Sequence, residues 1–247
     1  MTPIEKLPHT WCAMWNDDPA LAHDLLTPDG RQWSGATGGL DDVVGPAAAQ
    51  LFIERYRRER GTRFTARTLV VDEPDRISCT WDATLRDGTV RTGADMFVLR
   101  DGLVAENWTL IGAGRAAGPD AAGSGASSRT EIAELAAGWR SAWNGTTGGL
   151  TDIVTADAAI WLGADGADLR GPAELTAHIA RVRAARPAIG CTPHRAAAVD
   201  VERQTVALTW TAAGAGHDAV GGIDVLVLRD GRIAQVWSIV GDRPFRY

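Results

Sequence analysis

The chain is poor in the features that announce most chemistries. It holds three cysteines in 247 residues, Cys12, Cys79 and Cys191. An odd number, widely spaced, offers no disulfide framework and fits a reducing compartment. No apolar run approaches the length of a membrane span, and Met1 to Thr10 lacks the apolar stretch of a secretion signal. The expected location is therefore the cytoplasm. Positive charge is not in excess, since the formal net charge is −6, so neither nucleic acid nor a membrane is an expected partner. Arg55, Arg57, Arg58 and Arg60 do cluster, but Glu54 and Glu59 interrupt them, and the run reads as the solvated end of a helix. There is no G-x-S-x-G, P-loop or HExxH sequence. Cys191-x-x-His194 lacks a second half, so no metal is expected.

What is present is said nearly twice. Ile4, Leu7, Trp11, Trp15 and Asn16 recur as Ile132, Leu135, Trp139, Trp143 and Asn144, each pair 128 residues apart. Trp33 and Gly35 return as Trp161 and Gly163, Gly45-Pro46 as Gly171-Pro172, and Trp108 as Trp237. Asp95-Met-Phe-Val-Leu-Arg-Asp-Gly102 returns as Asp224-Val-Leu-Val-Leu-Arg-Asp-Gly231. A period this long is that of a whole domain, not of a solenoid unit. The expected division is a first domain over 1–112, a flexible Gly/Ala/Ser-rich linker over 113–129, and a second domain over 130–247.

Each copy begins with helices. Ser128 and Glu131 form a capping box, and Ile132, Leu135, Ala136, Trp139 and Trp143 then follow a helical stripe. Pro8 is expected to start or kink the matching first helix. A short helix follows near Leu21–Leu26 and Leu150–Val154, and a third starts at each Gly-Pro. Strands come next, with Asp87-Gly88, Asp101-Gly102 and Asp230-Gly231 as two-residue hairpin turns. Helices followed by an antiparallel meander make an α+β domain. The hollow between helices and curved sheet is the natural pocket.

The hairpin register points to a site. A turn at Asp101-Gly102 pairs Arg100 with Leu103. Counting back sets Leu99 against Val104, Phe97 against Glu106 and Asp95 against Trp108. The same count sets Asp224 against Trp237. The Asp87-Gly88 turn and its loose copy set Thr80 against Asp95 and Thr209 against Asp224. Each copy is thus expected to place one carboxylate beside one indole. Burial raises a carboxyl pKa, and a protonated Asp can donate to a ligand oxygen. The plainer reading is an Asp that only bonds the facing threonine. Of the ten tryptophans, most are expected in the core, with one or two per domain lining a pocket. The candidate catalytic residues are Asp95 and Asp224. The candidate substrate-binding residues are Trp11, Trp33, Phe97, Glu106 and Trp108, with Trp139, Trp161 and Trp237 in the second copy.

The Trp-x-x-x-Trp-Asn helix, the G-x-D-x-F-x-L-R strand before an Asp-Gly hairpin, and the Trp on the last strand resemble the NTF2-like superfamily, in its SnoaL-like (polyketide cyclase-like) group. The resemblance implies two tandem cone-shaped domains, each a curved antiparallel sheet wrapped by N-terminal helices, paired as an intramolecular pseudo-dimer. It also implies cofactor-independent acid/base chemistry on an apolar small molecule. Against the ketosteroid isomerases of that superfamily, Asp95-Met-Phe97 matches the oxyanion Asp-x-Phe, and Asp224-Val-Leu226 does so more loosely. Trp11 and Trp139 stand where those enzymes carry a tyrosine. Ser34 and Leu162 stand where they carry the general-base Asp, so another acid, such as Asp82 or Glu106, would have to take that role. The superfamily also holds non-catalytic binders. Three readings follow: an isomerase, cyclase or hydrolase, a small-molecule binder, or an interaction module with filled pockets.

Overall fold

The structure, a computed structural model, describes residues 3–35, 39–72, 74–116, 123–164 and 166–246. It is α+β, with two curved sheets and helices alongside each. Helix α1 (Pro3–Asn16) runs through Pro8. The short α2 (Ala22–Leu25) leads into β1 (Leu26–Ser34), and α3 (Gly45–Arg60) ends on Gly61 in the left-handed conformation. Strands β2 (Arg63–Asp72), β3 (Arg76–Thr84), β4 (Val90–Arg100) and β5 (Leu103–Ile111) complete a five-stranded sheet of order β1-β5-β4-β3-β2. The meander is antiparallel, but β1 joins β5 in parallel, a pairing that needs a long crossover and obtains it from α3 and the hairpins.

The second half repeats this order. Helix α4 (Arg129–Trp143) is held by the expected capping box: Ser128 Oγ accepts from Glu131 N–H, and Glu131 Oε2 accepts from Ser128 N–H at 2.7 Å. After α5 (Leu150–Ile153), β6 (Val154–Leu162) and β7 (Ala167–Arg170) comes α6 (Gly171–Ala185). Strands β8 (Gly190–Pro193), β9 (Ala198–Asp200), β10 (Thr205–Gly214), β11 (His217–Arg229) and β12 (Arg232–Val240) follow. The sheet order is β7-β6-β12-β11-β10-β8, with β9 also on β10. Among the described residues no helix is long and apolar enough to cross a membrane.

Each half has its own core between helices and sheet. One gathers Leu7, Trp11, Met14, Ile53, Trp81 and Phe97, and the other Ile132, Trp139, Leu175, Ile179, Leu226 and Val236. A third core lies between the sheets, where Trp33, Trp108, Met96 and Leu110 meet Trp161, Trp237, Val225 and Ile239. Two glycine contacts let the halves approach. Gly35 lies against Gly241, and Gly163 against Gly112. Their backbones bond across the joint, Asp242 N–H to Gly35 C=O at 3.1 Å and Ala113 N–H to Gly163 C=O at 2.7 Å. The segment expected as a linker is anchored at its described ends. Arg115 pairs with Asp82 at 3.1 Å, Ala116 is buried, and Ser124 bridges to Arg229, while 117–122 lies outside the described residues.

The register differs from the sequence count by one residue. Asp101-Gly102 and Asp230-Gly231 do form two-residue turns with positive φ at both positions, and Arg100 faces Leu103. A bulge between Val98 and Leu99 then shifts the ladder, so Asp95 faces Thr109 and Met96 faces Trp108. A second bulge, between Val227 and Leu228, sets Asp224 against Ser238 and Val225 against Trp237. Asp87-Gly88 is not a two-residue turn: Leu85 bonds Thr89 around a three-residue loop, and Cys79, not Thr80, faces Asp95. In the second half Leu208, not Thr209, faces Asp224. An extra residue on one strand moves every later side chain on it to the opposite face. Trp108 and Trp237 therefore point into the joint between the sheets, away from the two aspartates.

Candidate functional site

In the first half the hollow between helices and sheet is open, with a cavity of about 490 Å³. Helix α1 contributes Trp11, Cys12 and Trp15. One face of α3, at helical spacing, contributes Phe52, Arg55, Tyr56, Glu59 and Arg60. Alternate residues of the sheet complete it: Trp81 and Ala83 on β3, Asp95 on β4, and Asn107, Thr109 and Ile111 on β5. Aromatic edges build the walls. Trp15 packs T-shaped on Tyr56 at 5.4 Å and on Phe64 at 5.8 Å, and Phe64 on Trp81 at 5.4 Å.

Asp95 lies at the inner end, 3 % exposed. Burial raises its carboxyl pKa to about 7, while the Thr109, Trp81 and Asn107 side chains nearby pull it back in part. Among the described residues none of them closes a hydrogen bond onto Oδ1, which has no partner there, and neither has the Trp81 indole N–H. A buried acceptor without a partner is uncommon; Asp224 Oδ1 shares this state, so Asp95 is set apart by the open cavity beside it. Two thiols lie close by. Burial, and then the Asp95 charge, push Cys12 up to about 12 and Cys79 well above its ordinary value. Both are therefore protonated at neutral pH and not poised as nucleophiles.

The same place in the second half is closed. A void of about 20 Å³ remains beside Trp139, Trp143, Cys191, Trp210 and Asp224, room for about one water. Trp139 Nε1–H donates to Asp224 Oδ2 at 2.7 Å, and Trp143 packs T-shaped on Trp139 at 6.1 Å. Burial raises the Asp224 pKa too, against the Ser238, Trp139 and Trp210 side chains that lower it. No such bond joins Trp11 to Asp95. Trp11 instead packs T-shaped on Phe97, 5.1 Å between ring centres.

The candidate residues thus separate. Asp95 and Trp11 line the open cavity, with Phe97 buried behind Trp11. Asp224 and Trp139 flank the small void. Trp33, Trp108, Trp161 and Trp237 lie in the core between the sheets and line neither cavity. Glu106, on that far face, pairs with Arg195 at 3.4 Å, and Asp82 is held by Arg67 and Arg115 at 3.2 and 3.1 Å. Neither acid reaches Asp95's cavity, which Ser34 lines at the position matched to a base. Cys191 and His194 do not converge as ligands: Cys191 borders the small void, and His194 stacks on Phe245 at 4.5 Å. The sequence reading missed Trp15, Phe52, Tyr56, Phe64, Trp81, Asn107 and Thr109. The helical spacing of Phe52, Tyr56 and Glu59 was a usable signal for one wall, whereas Asn107 and Thr109 were hidden by the bulge.

Three solved structures illustrate the likeness to known proteins. A SnoaL-like family protein from Agrobacterium tumefaciens, provisionally named an isomerase, is 20% identical, with 45% of this chain and 98% of that one covered at a TM-score of 0.39. IdmH from Streptomyces antibioticus, provisionally named a polyketide cyclase, is 19% identical over 44% of this chain and 91% of its own, TM-score 0.37. A protein from Kribbella flavida, provisionally named a ketosteroid isomerase, is 18% identical over 48% and 84%, TM-score 0.38. No curated protein matches the chain. Residues 126–236 match the family model of the SnoaL-like domain.

Proposed function

We propose that the chain is a tandem of two SnoaL-like domains, 1–112 and 130–247 joined by 113–129, in which the first domain alone acts on a ligand. Its activity is cofactor-independent acid/base catalysis on an apolar, oxygenated small molecule: an isomerisation, cyclisation or hydrolysis. The observation that carries this reading is Asp95, buried at the inner end of an aromatic-walled cavity of about 490 Å³, where Asp224 has only about 20 Å³ beside it. A carboxyl with a pKa of about 7 is matched to proton transfer at neutral pH. Protonated, it donates to a carbonyl or ether oxygen; ionised, it accepts a proton from carbon.

Among the described residues no second carboxylate stands beside Asp95 at the inner end; Glu59 is on α3 and exposed. The reaction that fits best is therefore one in which the same carboxyl takes a proton and returns it elsewhere on the molecule. That leaves Asp95 in its starting state. The second domain serves as the partner of an intramolecular pseudo-dimer, a role supported by the core between the sheets. The lack of a second acid also favours the alternative, a binder that releases its ligand unchanged.

The test is turnover of a panel of aromatic polyketides, steroids, terpenoid epoxides and lactones, with products separated by chromatography and identified by NMR, since an isomerised product keeps its substrate's mass. Wild type and Asp224→Asn are expected to form the same product, and Asp95→Asn none. Equal turnover by Asp95→Asn overturns the catalytic reading. A ligand that binds saturably and is recovered unchanged moves the assignment to the binder.

A further inference from the structure

The mouth of the first cavity differs in chemistry from its interior. Inside, the walls are Trp, Phe and Tyr rings around one carboxyl. At the rim stand Arg55, Arg60 and Arg91, countered among the described lining residues there by Glu59 alone. The chain as a whole carries a net charge of −6, so the local sign at the opening is the reverse of the global one. Neighbouring arginines of the same region are engaged: Arg57 donates to the Asp17 carbonyl at 3.0 Å and Arg63 pairs with the Asp17 carboxylate at 3.2 Å. Among the described residues neither Arg55 nor Arg60 pairs with a carboxylate. Arg55 lies over the Phe52 ring at 5.4 Å, and Arg91 donates through Nε to the Gly112 carbonyl at 2.7 Å. The remaining guanidinium donors of these three side chains border an open, ring-lined hollow. A run of exposed arginines is ordinarily a solvated helix end. Here two of them, with a third from β4, ring the entrance to an apolar cavity.

Resting on the reading above that this cavity holds the ligand, we propose that the ligand is an anionic amphiphile. It has a flat ring body among Trp11, Trp15, Phe52 and Trp81, an oxygen at the inner end facing Asp95, and a carboxylate, sulfonate or phosphate at the outer end on Arg55, Arg60 and Arg91. The guanidinium fork suits such oxyanions. A positive field at the mouth draws anionic ligands inward at low salt.

Two dyes with one ring skeleton test this: anilinonaphthalene sulfonate, which carries the anion, and phenylnaphthylamine, which lacks it. Both are titrated by fluorescence into wild type, Arg55→Gln/Arg60→Gln, and Ala83→Phe, which fills the cavity from β3. The sulfonate is expected to bind wild type more tightly than the neutral dye and to weaken as salt rises. The double variant is expected to lose about fivefold in sulfonate affinity, from two exposed charge pairs, with neutral-dye binding unchanged. Ala83→Phe is expected to weaken both. Equal wild-type affinities for the two dyes, or an unchanged sulfonate affinity in the double variant, overturn the anionic rim while leaving the cavity reading intact. Neutral-dye binding that is absent from wild type, or indifferent to Ala83→Phe, overturns the cavity reading and this inference with it.

Discussion

Asp72 and Asp200, which are 128 residues apart, each accept a backbone N–H from the opposite half: Val199 N–H reaches Asp72 Oδ2 at 3.2 Å, and Val71 N–H reaches Asp200 Oδ2 at 2.9 Å. The exchange is that of a two-fold interface, in which residue i contacts j and the equivalent of j contacts the equivalent of i. Arg129 backs Asp72 at 2.7 Å and Arg203 backs Asp200 at 3.0 Å. Both aspartates are buried, so an alanine at either place strands a partly buried amide and its guanidinium partner. Asp72→Ala and Asp200→Ala are each expected to cost about 1–3 kcal/mol, measured by urea unfolding. Wild-type midpoints in both variants would show that the exchange adds nothing to the joint.

The Trp139–Asp224 bond closes the second half's site. Trp139→Phe keeps the ring and removes the N–H, leaving a buried carboxyl with less support. A loss of about 1–3 kcal/mol at neutral pH is expected, with dye binding in the first half unchanged. If unfolding is unaffected while dye binding falls, the second half does more for the ligand than brace the first.

Stability should report the Asp95 proton. Its pKa is raised to about 7 in the fold from an ordinary 3.8. Below the unfolded value both states are protonated and no penalty exists. As pH rises from about 4 to 7 the unfolded chain ionises first, the native state holds more protons, and stability falls by up to about 1.4 kcal/mol per pH unit. Asp95→Asn removes this term. The wild-type stability relative to Asp95→Asn should therefore decline across that window and level off above it. Parallel pH profiles for the two proteins would show that burial does not hold the proton.

The joint also relies on close backbone approach. A Cβ at Gly112 would meet the Trp161 ring at 2.4 Å and Gly163 Cα at 3.1 Å, whereas Gly114 has nothing within 4 Å. Gly112→Ala is expected to destabilise by about 1–3 kcal/mol in thermal unfolding, and Gly114→Ala to leave the transition in place. Similar shifts in both would mean that helix or strand propensity, and not contact, sets the effect.

The tail of the second half holds a wall of the first half's cavity. Arg243 pairs with Asp41 through two bonds, at 2.6 and 2.7 Å, and donates through Nε to the Ser34 carbonyl at 3.0 Å. Ser34, Gly39 and Leu40 line the cavity on that side. Arg243→Lys keeps the charge but loses the fork. It is expected to weaken binding of the neutral dye at least as much as a simple loosening of the wall requires, about threefold or more. Unchanged affinity would place the wall's stability elsewhere.

The amino-acid sequence by itself determined the doubled pattern, the capping box at Ser128, the Asp-Gly turns at 101 and 230, and the α+β class. These are local matters: a cap, a positive-φ turn and a periodic stripe are decided within a few residues. Asp95, Phe97 and Leu99 also stand on the expected inner face, because alternation along one strand needs no partner. What Trp108 does was decided only across strands, since one bulge reverses the face of everything beyond it. The openness of one hollow and the closure of the other were likewise decided by tertiary packing. Trp11 and Trp139 hold the same place in the repeat, and only the surrounding side chains determine whether the indole leans on Phe97 or bonds Asp224.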